Sequence, residues 1–106
     1  MIPFHHRSIT CSVDLFSLGC VYHFLLTRGQ HPFGGAVSRQ LNIMKGDAVN
    51  LRAGTLSADP NAHALVEAMT QREPGDRPTA RAVLKHPVFW PRERTLNYLQ
   101  VRSLPQ

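Results

Sequence analysis

Six histidines, at positions 5, 6, 23, 31, 63 and 86, are the side chains of this 106-residue sequence best suited to moving protons, because imidazole titrates near neutrality. A histidine catalyses only in company, beside a nucleophile and a group that orients the ring. The sequence sets no such company next to any of the six, and His23, in the most apolar stretch, reads as a hydrogen-bonded core residue. The seven acidic residues are scattered singly, so the paired carboxylates of general acid and base hydrolysis are not evident. Glycines at 19, 29, 34, 35, 46, 54 and 75 build neither GxGxxG nor GxxxxGK, which leaves the chain without a phosphate-cradling loop.

Metal and thiol chemistry fare no better. Cys11 and Cys20 lie outside any CxxC, and no histidine stands three to five residues from another, so zinc has no ligand set. On one helix the two cysteines would be about 13 Å apart at a rise of about 1.5 Å per residue. A disulfide tolerates about 7 Å, and two reduced, buried thiols are expected.

Asp14 breaks a local rule. It falls in the first turn of the helix expected from Ser12, amid apolar neighbours, where a carboxylate must find N–H partners or cost several kcal/mol. It either compensates the dipole of its own helix end or anchors the backbone of another loop from beneath.

The net charge is +5 and the pI near 10, and the excess is C-terminal: residues 72–106 carry seven basic and three acidic side chains. A face built from residues such as Arg92 and Arg94 could meet phosphate groups of RNA. The alternative is a solvated helical surface, or an interface with an acidic partner elsewhere, since no aromatic residues are interleaved to stack bases.

The elements that must position these residues are helical. From Ser12 to about Arg28 almost every side of a helix is apolar, the pattern of a buried central helix, and Gly29 ends it. The turn His31-Pro32-Phe33-Gly34-Gly35 follows. Val37, Leu41 and Met44 space a helix over 36–45 that Gly46 stops, and 47–58 reads as a loop. Asp59 caps, and Pro60 opens, a helix with Ala62, Leu65, Val66 and Met69 on one face. A break at Glu73-Pro74-Gly75 precedes a short helix, capped by Thr79, from Ala80 to about His86. A last helix is expected from Arg92 to about Val101. No alternating strand pattern occurs, so the fold class is all-α, one small domain. No stretch reaches the roughly 20 apolar residues of a membrane span, and the N-terminus lacks a signal-peptide pattern.

In order and spacing, Ser12-Val13-Asp14-Leu15-Phe16-Ser17-Leu18-Gly19, then His31-Pro32-Phe33, Asp76-Arg77-Pro78-Thr79 and Leu84-Lys85-His86-Pro87-Val88-Phe89 resemble the second half of a protein-kinase C-lobe. His86-Pro87-Val88-Phe89-Trp90, running into Leu96-Asn97-Tyr98-Leu99, is similar to the inositol-requiring type, as are Gln30-His31-Pro32-Phe33-Gly34 and Arg39-Gln40-Leu41-Asn42-Ile43. That family is the endoplasmic-reticulum sensor of unfolded proteins, a membrane protein whose cytosolic part joins a Ser/Thr kinase to an endoribonuclease. The resemblance implies a truncated lobe, a central buried helix with three or four around it. It divides the chain into an N-terminal extension (1–9), a partial C-lobe (10–90) and the start of the helix that leads into the nuclease (91–106).

The resemblance also implies what this segment lacks. Glycine-rich loop, strand lysine, catalytic aspartate, magnesium aspartate and A-P-E motif belong upstream, and the nuclease residues downstream. His6-Arg7-Ser8 and Pro32-Phe33-Gly34 are only chance echoes of the kinase H-R-D and D-F-G motifs, each without its aspartate. By motif position Asp14 resembles the carboxylate that holds the catalytic-loop backbone, and Arg77 the arginine that pairs with the A-P-E glutamate. An Arg77 left without its mate would be a defect of about 3–5 kcal/mol. The expectation is a chain without catalytic residues, metal site or cofactor of its own, the parent using ATP and magnesium. It would be cytoplasmic by itself, though its parent sits in the endoplasmic-reticulum membrane. Partners would be the full-length sensor, the missing half of the lobe, or RNA through the basic C-terminal face.

Overall fold

A computed structural model describes residues 4–103, with side chains described for 11–91 and 94–100. Among these residues six α-helices follow one another: α1 (Phe4–Leu26), α2 (Arg39–Lys45), α3 (Val49–Arg52), α4 (Pro60–Met69), α5 (Ala80–Leu84) and α6 (Arg92–Ser103). Two 3-10 turns, Pro74–Asp76 and Pro87–Phe89, link α4 to α5 and α5 to α6. Among the described residues there is no strand, in keeping with the all-α expectation.

The core is the seam between α1 and α4. The 62, 65, 66, 69 spacing of α4 does what an amphipathic pattern should, burying all four side chains. Leu15 of α1 joins Leu65, Met69 and Val83 in one cluster, while Leu51, Leu56, Ala62 and Val66 form a second. Tyr22 and Val88 pack against both clusters and tie them together. The caps read from sequence are present: Asp59 accepts from the Ala62 N–H at 3.1 Å, and Thr79 from the Ala82 N–H at 3.1 Å.

Three expectations change. The helix α1 starts at Phe4, not Ser12, so Asp14 lies well inside it and cannot compensate a first-turn dipole. Nor is α1 buried all round: Leu15, Gly19 and His23 face the core, whereas Val13, Leu18, Val21 and Leu25 are at least half exposed. Apolar spacing alone cannot tell which side of an all-apolar helix the present chain covers. Cys20 is buried but Cys11 is exposed, and both are free thiols.

The helix α2 is shorter than expected and buries nothing, with Val37, Leu41 and Met44 all exposed. Gly46 ends it in the left-handed region, φ 72°. Within the expected loop, Val49–Arg52 forms the single turn α3, whose Leu51 enters the core. At the end of α1 the left-handed turn is made by Arg28 (φ 59°) as well as Gly29 (φ 111°).

Candidate functional site

The His31–Gly34 turn is the most heavily tied loop. Asn50 donates from Nδ2 to the His31 carbonyl (2.7 Å) and from its backbone N–H to that of Pro32 (3.0 Å). Asn42 Nδ2 donates to the Phe33 carbonyl (2.9 Å) and Arg39 Nε to that of Gly34 (3.1 Å). The Phe33 N–H donates to His31 Nδ1 at 3.0 Å, which requires that nitrogen to be unprotonated. Burial, then the charge of Arg39 and then His23, pull the His31 pKa below its ordinary value, in the same direction.

Phe33, fully buried, stacks on Phe16 of α1 with ring centroids 5.4 Å apart. On the same Phe16 ring lies the Arg77 guanidinium, 4.8 Å from the centroid. Arg77 donates to three carbonyls, those of Gln71 (2.8 Å), Ser12 (3.1 Å) and Arg72 (3.2 Å). Among the described residues no carboxylate reaches ion-pair distance of it. The unmated charge expected from sequence is therefore held by carbonyl oxygens and a ring face, a satisfied arrangement. Burial lowers the Arg77 pKa, against the opposing influence of Cys20 and Glu73.

Asp14 stands on the opposite side of α1, exposed, amid Leu18, Val21 and Leu25 at helical spacing. Beside this face an open apolar hollow of about 320 Å³ is lined by Phe16, Ser17, Cys20, Val21, Phe24 and His31. Burial pushes the Cys20 thiol up to about 11, with Arg39 and Arg77 acting weakly the other way. Such a thiol is a packing residue rather than a nucleophile.

His23 is fully buried and doubly bonded, Nδ1 to the Gln30 carbonyl (2.8 Å) and Nε2 to Thr55 Oγ1 (2.7 Å). The core role expected of it is seen, but the Thr55 partner, 32 residues away, carries no local sequence signal. At the C-terminal end, the Arg94 guanidinium lies 4.4 Å over the Trp90 ring, and Tyr98 meets the same ring edge-on at 5.4 Å. Trp90, Arg94 and Tyr98 follow at spacings of four, which sets one basic side chain between two aromatic rings. The side chain of Arg92 lies outside the described residues.

Three of the described carboxylates are engaged within the chain. Asp47 is held by Arg52 (3.2 Å), Glu67 by His63 (3.2 Å), and Asp59 caps α4. Among the described residues no three of His, Cys, Asp and Glu come within reach of one metal ion. None of their helices is long and apolar enough to cross a membrane.

An apolar central helix carrying an outward aspartate, a Pro-Phe turn stacked on its Phe16 and a partly buried arginine after α4 agree with the helical half of a protein-kinase C-lobe, the class the sequence resembles. No protein-family model matches the chain. Within the class, this chain resembles the kinase/endoribonucleases of the unfolded-protein response over nearly its whole length. It is 43% identical to the Caenorhabditis elegans serine/threonine-protein kinase/endoribonuclease ire-1 over 91 residues, 86% of this chain and 9% of that protein. It is 42% identical to the human serine/threonine-protein kinase/endoribonuclease IRE2 over 94 residues, 88% of this chain and 10% of that protein. To the Schizosaccharomyces pombe sensor for unfolded proteins in the ER, ire1, it is 39% identical over 99 residues, 88% of this chain and 9% of that protein. The chain therefore spans about a tenth of the relatives it matches.

Proposed function

We propose that this chain works as the helical base of a kinase C-lobe and performs no chemistry by itself. In a longer protein of the unfolded-protein response, it would carry the half-lobe that binds ATP and magnesium, in a kinase on the cytosolic side of the endoplasmic-reticulum membrane. The observation that carries this reading is the outward face of α1. Val13, Leu18, Val21 and Leu25 are exposed along 13 residues of helix, with Asp14 among them. Contiguous apolar surface of this kind marks a contact face. A carboxylate in its midst fits a loop that offers backbone N–H groups, the role the kinase resemblance gives Asp14. Arg77 braces the same helix from the other side through the Ser12 carbonyl.

The test is complementation. The chain is co-expressed with the upstream kinase segment of the worm relative, and autophosphorylation is followed with labelled ATP. Activity in the pair, absent from either piece and lost on Asp14→Ala, supports the reading. ATP binding by this chain alone, or failure of the two pieces to associate at any concentration, overturns it.

A second reading follows from Arg94 on Trp90. A guanidinium fixed on an indole face keeps its donors for a phosphate, so the basic C-terminal face would contact RNA. This predicts binding that falls steeply with salt and weakens in the Arg92→Ala, Arg94→Ala double variant; an unchanged double variant removes it.

A further inference from the structure

The short polar contacts around His23 need one more hydrogen than a neutral ring supplies. Its Nδ1 lies 2.8 Å from the Gln30 carbonyl and its Nε2 2.7 Å from Thr55 Oγ1, while that hydroxyl lies 2.9 Å from the Asn50 carbonyl. Carbonyl oxygens only accept, so Nδ1 must carry a proton. A single hydroxyl hydrogen is then left to serve both Nε2 and the Asn50 oxygen. With one ring proton, the hydroxyl donates to Nε2 and turns a lone pair towards the Asn50 carbonyl. With two, Nε2 donates to Oγ1 and the hydroxyl donates to Asn50. Only the hydroxyl hydrogen has to turn between these states.

What the hydroxyl reaches is the anchor of the Pro-Phe turn. Asn50 lies in α3, and Gly54 (φ 93°) turns the chain back so that the Thr55 N–H also meets the Asn50 carbonyl, at 3.3 Å. The same Asn50 holds the carbonyls of His31 and Pro32 through its Nδ2 and its backbone N–H. We propose that His23 is a proton sensor within the fold: a second ring proton turns the Thr55 hydroxyl from the ring to the Asn50 carbonyl, and the hold of Asn50 on the His31–Gly34 turn strengthens with it. Hydrogen bonds in such a chain polarise one another, which carries the change from α1 to the turn.

Each state meets its own penalty. His23 is fully buried, so lost hydration opposes a second proton, whereas two oxygens facing each other at 2.9 Å oppose the one-proton state. Among the described residues no carboxylate lies within ion-pair distance of His23 to fix its charge. On α1, burial keeps Cys20 a thiol, and burial and then Asp59, the cap of α4, keep Tyr22 a phenol. On the turn, burial, then Arg39 of α2 and then His23 itself disfavour a charge on His31. Thr55 and Asn50, beyond the ring, do not ionise. The Thr55 hydroxyl is thus the group that answers a second proton on His23.

The test is NMR spectroscopy of the full chain, labelled with nitrogen-15 and carbon-13, between about pH 8 and pH 5. Through-bond correlations identify the His23 ring from its own backbone. The ring should carry its proton on Nδ1 at the alkaline end and gain one on Nε2 at the acid end. The Asn50 carbonyl carbon should move downfield with the same midpoint, as a carbonyl does on gaining a hydrogen bond. Thr55→Val should abolish that carbonyl shift and Thr55→Ser restore it, while His31, present in both, controls for acid effects on the turn itself. A single proton found on Nε2, or a ring that keeps one protonation state throughout, overturns the proposal. So does an Asn50 carbonyl that stays still in the parent chain or still moves in Thr55→Val. The parent chain alone decides all but the last of these, so a Thr55→Val chain that fails to fold leaves the test intact.

Discussion

Gly19 of α1 sits so close to Met69 of α4 that a β-carbon added to it would lie 2.9 Å from Met69 Cβ and 3.0 Å from Thr70 Cγ2. The obstacle is the root of one side chain and a buried one, not a flexible tip, so the helices themselves must part. Gly19→Ala gains about 1 kcal/mol of helix propensity. Overpacking of this kind costs about 1–3 kcal/mol, and the α1–α4 seam is the main core of the chain. A net loss of stability is expected, read as a lower urea midpoint. A Gly19→Ala chain at least as stable as the parent would show that the seam is looser than this contact demands.

Arg77 gathers the carbonyls of Ser12, Gln71 and Arg72 and covers Phe16, so it joins α1 to the segment after α4. Arg77→Ala leaves three acceptors to find water and removes the ring contact, a loss of about 2 kcal/mol for a half-exposed group. Arg77→Lys keeps the charge but not the planar fork and should fall between. Denaturant unfolding of the three chains gives the order; a lysine variant as stable as the arginine would mean that charge alone matters.

Much of this was legible in the sequence, and the failures share one cause. Asp59-Pro60, Thr79 and Gly46 announce helix ends through local chemistry, and the structure shows those ends where the chemistry puts them. The face of α4 follows from spacing. What spacing could not assign is α1, whose apolar residues exceed what α4 can cover, and α2, whose Val37, Leu41 and Met44 face outward. Apolar pattern reports that a surface wants cover without saying whether these 106 residues supply it. The contacts His23 to Thr55 and Ser12 to Arg77 were invisible because they join positions 32 and 65 residues apart.

His31 gives the chain an acid-side weakness. Its folded pKa lies below its ordinary value, so between the two the unfolded chain binds more protons than the folded one. The stability this contributes is complete above about pH 6.5 and is lost as pH falls through the folded pKa. Protonation also ends the Phe33 N–H bond to His31 Nδ1. The melting temperature should decline from pH 7 to 5, and less so in His31→Gln. Identical pH profiles for the two chains would discard the assignment.

The two thiols should part company chemically. Thiolate is the reacting species, and a Cys20 pKa pushed up to about 11 leaves roughly one molecule in a thousand ionised at pH 8. Burial also shields Cys20 from reagent, whereas Cys11 is exposed. Iodoacetamide at pH 8 should therefore alkylate Cys11 first and reach Cys20 only as the chain unfolds, giving a singly modified species by mass spectrometry. The same shift acts on stability: a pKa raised on folding gives a contribution that is complete below the ordinary thiol value of 9.0 and is lost as pH rises towards 11. Cys20→Ala should therefore flatten the alkaline limb of the stability profile. Labelling of both cysteines at equal rates in the folded chain would mean that the hollow between Phe16 and Phe24 admits reagent and water to Cys20, and that the α1 face is open to its root.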